Sequence, residues 1–239
     1  MRTRRFARRE DLGLTPAEFA VLRRLDTPRK IQDFLYSLQQ NFELGGETCL
    51  TVRDVLRTRR AHCIEGAMLA ACAFWVHGEP PLLLDMRAVS DFDHVVALYR
   101  REGHWGAISK TNGIYLRSRD PVYRDLRELA MSYFHEYSNQ RNHKTLREYS
   151  LPYDLRRMDA AVWVTGEKGA WAVAEALEDV RHFKLMGARH LRLLAPRDPL
   201  ERRGGALSQY PTPRVLIEKT KLAKAKRQLA ARKRNKARR

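Results

Sequence analysis

The chain predicts an α+β fold in which a cysteine-bearing helix packs against an antiparallel sheet. Three observations lead there. A run of small and apolar residues from Ala67 to Val76 follows Cys63 and is long enough for a buried helix, but too short to cross a bilayer. Leu82-Leu83-Leu84-Asp85-Met86-Arg87 then reads as a buried strand. Two further strands, residues 94–100 and 104–109, are joined at Glu102-Gly103, a tight hairpin signal.

The elements follow in order. Thr15 caps a first helix with Pro16 in its opening turn, and Glu18 completes a capping box. A second start at Thr27-Pro28 leads into Ile31, Phe34, Leu35 and Leu38 at helical spacing, so one face meets the core. Gly45-Gly46 breaks the chain, and residues 51–56 form a short helix before Arg59-Arg60-Ala61-His62. In the Cys63 helix, Ile64, Ala67, Met68, Ala71 and Trp75 make an apolar stripe that Gly78 and Pro80-Pro81 end. After the three strands, Asp120-Pro121 opens a helix running to Tyr137, and residues 139–149 read as a polar loop. A strand at 160–164, a helix at 170–185 and a strand at 190–194 make a β-α-β extension, either completing the same domain or forming a small subdomain. The organisation is therefore a basic leader (1–13), a core (14–138), the extension (139–195), and a Pro/Gly linker with a basic tail (196–239).

The net charge of +18 over 239 residues is carried by the two ends. Residues 1–9 hold five arginines and no acid; residues 211–239 hold twelve Lys/Arg and one Glu. The body between them is nearly neutral. Attraction to nucleic acid or another polyanion is thus a property of the termini. The basic N-terminus meets Glu10-Asp11 where a secretory signal would turn apolar. Three irregularly spaced cysteines make no disulfide framework. A cytoplasmic protein with no membrane partner is expected.

The chemistry centres on Cys63 and His94. A helix N-terminus favours thiolate over thiol, and a histidine fixed on a neighbouring strand can take and return a proton. Two arginines precede Cys63, and Gly66 lets another backbone come close. Cys72 lies within the apolar stripe and reads as core; Cys49 gets no role. A working base also needs a group to fix its tautomer. A hairpin turning at Arg101-Glu102 sets His94 opposite Ser109; a turn one residue later sets it opposite Thr111. Asn112, just past the strand, can also accept from an imidazole, so Ser109 and Asn112 are the orienting candidates. No carboxylate occupies that place, since Asp91 and Asp93 precede His94 and Asp120 lies farther on.

Asp85, Asp91 and Asp93 read as solvated loop charges before a cation-binding set. The aromatic group Trp75, Trp105, Tyr115, Tyr123, Tyr133, Phe134 and Tyr137 reads as core before a substrate groove. Cys49, His62, Cys63, Cys72 and His77 include no Cys-x-x-Cys pair, so no zinc site is expected. The chain has no phosphate-binding glycine loop and no Gly-x-Ser-x-Gly elbow, and no cofactor is expected.

The order of these motifs resembles the transglutaminase-like superfamily, a branch of the papain-like cysteine fold. The likeness spans residues 27–115: the helix from Thr27 to Leu35, Cys63 opening the central helix, the small-residue run to Trp75 with Gly78 after it, His94 heading a strand, and Gly103-His104-Trp105 opening the next. It implies acyl transfer or hydrolysis at a peptide or protein amide, with Cys63 attacking the carbonyl and His94 protonating the leaving group. In that family an aspartate completes the triad; by spacing its place falls on Ser109. That departure supports a second reading, a catalytically inactive binding protein of the same fold whose basic termini bind nucleic acid or another polyanion.

Overall fold

The computed structural model describes residues 6–139, 141–216 and 218. Helices α1 (Arg9–Leu12), α2 (Pro16–Arg24) and α3 (Pro28–Ser37) lead to a short strand β1 (Gln39–Gln40). Helix α4 (Val52–Thr58) precedes β2 (Arg60–Ala61), which pairs with β1 in parallel and delivers the chain to α5 (Cys63–Val76). Strands β3 (Leu82–Ala88), β4 (His94–Arg101), β5 (His104–Ile108) and β6 (Arg119–Tyr123) are followed by α6 (Leu126–Ser132). Then come β7 (Leu146–Ser150), β8 (Tyr153–Asp154), a 3₁₀ turn (Leu155–Arg157), α7 (Ala160–Val164), α8 (Trp171–Asp179), β9 (His182–Lys184), α9 (Ala188–Leu191) and α10 (Pro199–Gly204).

The main sheet has seven antiparallel strands in the order β6-β5-β4-β3-β7-β9, with β8 also paired to β3. Alternation along the strands separates two cores. Val95, Ala97, Tyr99 and Ile108 face α5, α2–α4, α7 and α8; Val96, Leu98 and Ala107 face α6 and the aromatics Tyr133, Phe134 and Tyr137. The predicted α5 stripe broadens into burial all round, from Ile64 to Val76. A helix apolar on every face belongs inside, and this one is the pillar on which the other elements rest. Among the described residues no helix is long and apolar enough to cross a membrane.

The hairpin turns at Glu102-Gly103, with both residues at positive φ (48° and 79°), as a two-residue loop requires. Helices α2, α3 and α4 start at Thr15, Thr27 and Thr51, whose hydroxyls accept from the third residue onward.

Several expectations are corrected. The segment opened by Asp120-Pro121 begins as β6, an edge strand that tolerates Pro121, and the helix starts only where Asp125 Oδ1 accepts from Glu128 N at 2.8 Å. The polar stretch 139–149 contains most of β7, whose ladder to β3 a sequence pattern cannot reveal. Residues 160–164 are helical: Asp159 caps the first turn, and Ala160, Trp163 and Val164 are buried. Tertiary packing outweighs their β-propensity. Residues 170–185 divide into α8 and the edge strand β9, while 190–194 form no strand. The leader packs on the core from Ala7, whose N–H bonds Trp75 O at 3.1 Å, and Phe6 lies against Gly78. The linker contains α10 and docks beside the candidate site. Residues 1–5, 217 and 219–239, which hold much of the basic charge, lie outside the described residues.

Candidate active site

Cys63 is the first residue of α5, and the local sequence starts the helix there. His62 is extended (φ −102°, ψ −168°), and its N–H bonds Glu65 Oε2 at 2.8 Å, a capping contact that turns the chain into the helix. The first N–H groups of a helix lack intrahelical partners, so the half-buried thiol sits at a positive backbone end. It opens into a cleft of about 400 Å³ walled by Gln40, Phe92, His94, Asn112, Tyr115 and Tyr137.

His94 heads β4 and is buried (5 % exposed). Its Nε2 lies 2.8 Å from Ser109 Oγ, and the Ser109 hydroxyl lies 2.5 Å from Leu116 O. A carbonyl only accepts, so Ser109 spends its one proton on Leu116 and its oxygen accepts Nε2–H. Nδ1 is then the unprotonated ring nitrogen of neutral His94 and the one free for the thiol. The orienting role expected of Ser109 thus has a geometry, although the register is that of the later turn. Ala97 pairs with Ile108, which extrapolates to His94 opposite Thr111; the imidazole instead reaches its diagonal neighbour.

Ser109 is itself held by Gln32 of α3, whose Oε1 accepts from Ser109 N (3.0 Å) and whose Nε2 donates to Ser109 O (2.8 Å). Both residues are buried. Nothing in the motif spacing marks Gln32; its one signal is a polar residue next to Ile31 on the helix's core side.

Asn112 does something other than orient His94. Its side chain accepts from Tyr210 N and donates to Tyr210 O, both at 2.9 Å, and its carbonyl accepts from Gln209 N at 2.7 Å. With its side-chain amide spent on Tyr210 and its backbone carbonyl on Gln209, it ties a C-terminal strap along the cleft rim. Gly66 also differs from expectation. A Cβ there would lie 2.6 Å from Lys110 Cβ, so the close neighbour is a side-chain stem, not a backbone. Lys110 Nζ donates to Leu38 O at 2.9 Å, and burial, helped by Arg117, pushes its ammonium down to about 8.

By spacing alone His62 reads only as a would-be metal ligand, and Glu65 carries no role. The His62 ring Nε2 lies 3.1 Å from both Glu65 Oε1 and Thr48 O. Glu65 is fully buried and also accepts from Asn41 Nδ2, Thr48 Oγ1 and Leu50 N. Burial opposes ionisation of this carboxyl, yet the bond and charge of His62, helped by the Leu50 and His62 N–H groups, hold it below its ordinary value. Hydrogen bonds and charge from His62 and His94 likewise overcome burial at Cys63 and draw the thiol down to about 5. Burial lowers His62, but bonds to Cys63 and Glu65 win and raise it to about 11. A signal was present: His and Glu at the cap and third positions of the helix that Cys63 begins.

Elsewhere, Asp85 is no solvated loop charge: it lies buried on β3 and bonds His182 at 3.0 Å. Asp91 accepts from Thr145 Oγ1 and Asp93 from Ala88 N, and both also line the cleft. Most of the singled-out aromatics pack in or against the two cores, while Tyr115 and Tyr137 reach the cleft. Among the described residues no group of three His, Cys, Asp or Glu side chains is gathered as a metal would need.

A nucleophile at a helix N-terminus, a base on the adjacent strand and a tautomer-fixing hydroxyl can carry out acyl transfer. Neither a known protein-family model nor a curated protein matches the chain.

Proposed function

We propose that this chain is a transglutaminase-like cysteine enzyme that hydrolyses or transfers acyl groups at amide bonds of peptides or proteins. The observation that carries this reading is the relay Cys63–His94–Ser109–Leu116 O, which points one imidazole nitrogen at a thiol on a helix N-terminus. Cys63 gives its proton to His94 Nδ1, and Sγ forms a bond to the amide carbonyl carbon. The oxygen gains negative charge beside the N-terminal end of α5. As the tetrahedral intermediate collapses, the C–N bond breaks and His94 returns its proton to the departing amine. Water or an amine then attacks the thioester, loses a proton to His94, and frees the thiol. Ser109 keeps Nε2 protonated throughout, a task that needs an acceptor of fixed direction rather than a charge.

The test is mass spectrometry of the full chain after exposure to p-nitrophenyl acetate, with and without excess amine. One acetyl group on Cys63, absent from Cys63→Ala and discharged by water or amine, is the expected result. A folded wild type that gains no acetyl group at Cys63 overturns the reading.

The distribution of charge favours a second role beside it. Residues 1–9 and 211–239 would bind a polyanion through counterion release, with affinity falling steeply as salt rises. Removing 211–239 should abolish RNA retention at low salt; undiminished retention rejects this role.

A further inference from the structure

We propose that His62, anchored by Glu65, is the stationary cation of the site, while His94 alone moves protons; this rests on the cysteine-enzyme reading above. The argument begins with what each imidazole faces. The bond that orients His94 goes to a hydroxyl, which sets direction but supplies no charge. His62 faces acceptors: Glu65 Oε1 and the Thr48 carbonyl at 3.1 Å, and Glu43 Oε1 at 3.7 Å. Two close acceptors at Nε2 require a proton there. The other titratable groups near this ring are Cys63, within its hydrogen-bonding reach, and His94, which also partners the thiol and lines the same cleft.

Glu65 is built as a permanent anion. It lies wholly inside the protein, and Asn41, Thr48 and Leu50 all donate to it. A carboxylate buried this way needs a cation, and His62 is its ion-pair partner. Apart from the more exposed Glu43, the charges balance when the thiol proton passes to His94: thiolate, His94 imidazolium, His62 imidazolium and Glu65 carboxylate sum to zero. His62 keeps both its protons through the cycle, because releasing one would strand Glu65. His94, which no carboxylate holds, is the one that carries the proton to the departing amine. The stabilising carboxylate absent from position 109 is thus supplied through a different histidine. His62 touches the reacting thiol; Glu65 acts through it as a positioning residue.

The experiment is the pH dependence of Cys63 alkylation by iodoacetamide in the full chain, comparing wild type with His62→Gln, Glu65→Gln and His94→Gln, each checked for folding by circular dichroism. His62→Gln should move the alkylation midpoint upward by more than about one pH unit, toward the ordinary thiol range. Glu65→Gln should move it the same way. His94→Gln should leave most of the low-pH thiolate in place while abolishing acetyl discharge. An unmoved midpoint in His62→Gln, or a large shift in His94→Gln alone, overturns the assignment. Should Glu65→Gln not fold, His62→Gln decides, since its side chain is partly exposed at the cleft. Failure of the enzyme reading is distinguishable: wild type would form no acyl-enzyme, whereas the alkylation midpoints report on His62 regardless.

Discussion

Helix α5 carries two cysteines in very different surroundings. Cys63, at its first residue, meets two imidazoles and an open cleft; Cys72, farther along, is wholly buried within the apolar core. Burial pushes both thiols up, and at Cys72 nothing opposes it. At Cys63 the same penalty is overcome by His62 and His94, and the thiol falls to about 5. Cys49, buried beside Glu65, rises to about 12. Partners that can hold the anion, not the residue type, make a thiol reactive.

The sharpest way to break this contrast is to delete each thiol in turn. Cys63→Ala should remove all alkylation at pH 7 and all acyl-enzyme. Cys72→Ala should keep both and cost only about 1 kcal/mol of stability, as a small core truncation does. Rapid labelling that survives in Cys63→Ala would show that the reactive thiol lies elsewhere.

A smaller effect should come from the hydroxyl behind His94. Ser109→Ala leaves a buried ring N–H unpaired, a loss of about 1–3 kcal/mol, and should lower the acylation rate roughly 10- to 100-fold. With His62 assigned as the stationary cation, the alkylation midpoint should hardly move. A rate within twofold of wild type would remove Ser109 from the relay.

Asn112→Ala serves as the control outside the relay. It severs two bonds to Tyr210 and should cost about 1–2 kcal/mol and speed proteolysis near residues 205–210, with no change in the pH profile of labelling. A shifted profile would return Asn112 to an orienting role.

The gentlest signature is in stability against pH. From pH 5 to the ordinary imidazole value of 6.5, the unfolded chain holds the thiol proton that folded Cys63 has lost, so stability rises with pH. From 6.5 to the ordinary thiol value of 9.0, both states bind equal numbers of protons and the contribution is flat. Toward 11, folded His62 retains a proton that the unfolded chain lacks, and the contribution declines. Denaturant midpoints in His62→Gln should lose this plateau relative to wild type; an identical pH curve would contradict the ion pair.

Local chemistry was legible in the sequence. The threonine caps, the Glu102-Gly103 hairpin, the apolar run that becomes α5, and the placement of Cys63 and His94 at element starts all depend on neighbours in the chain. What needed the fold was every relation between distant segments. β7 pairs with β3 and hides in a polar stretch because a half-exposed strand has no strong pattern of its own. Residues 160–164 carry strand-like side chains, yet Asp159 and the core surface under Trp163 make them a helix. Gln32 reaches Ser109, Tyr210 claims Asn112, and Asn41, Thr48 and Leu50 converge on Glu65 only after the chain has closed on itself. Spacing along a chain reports which face of an element a residue occupies. Which histidine holds a charge and which one moves a proton depends on the acceptors across the gap, and those are set by tertiary packing.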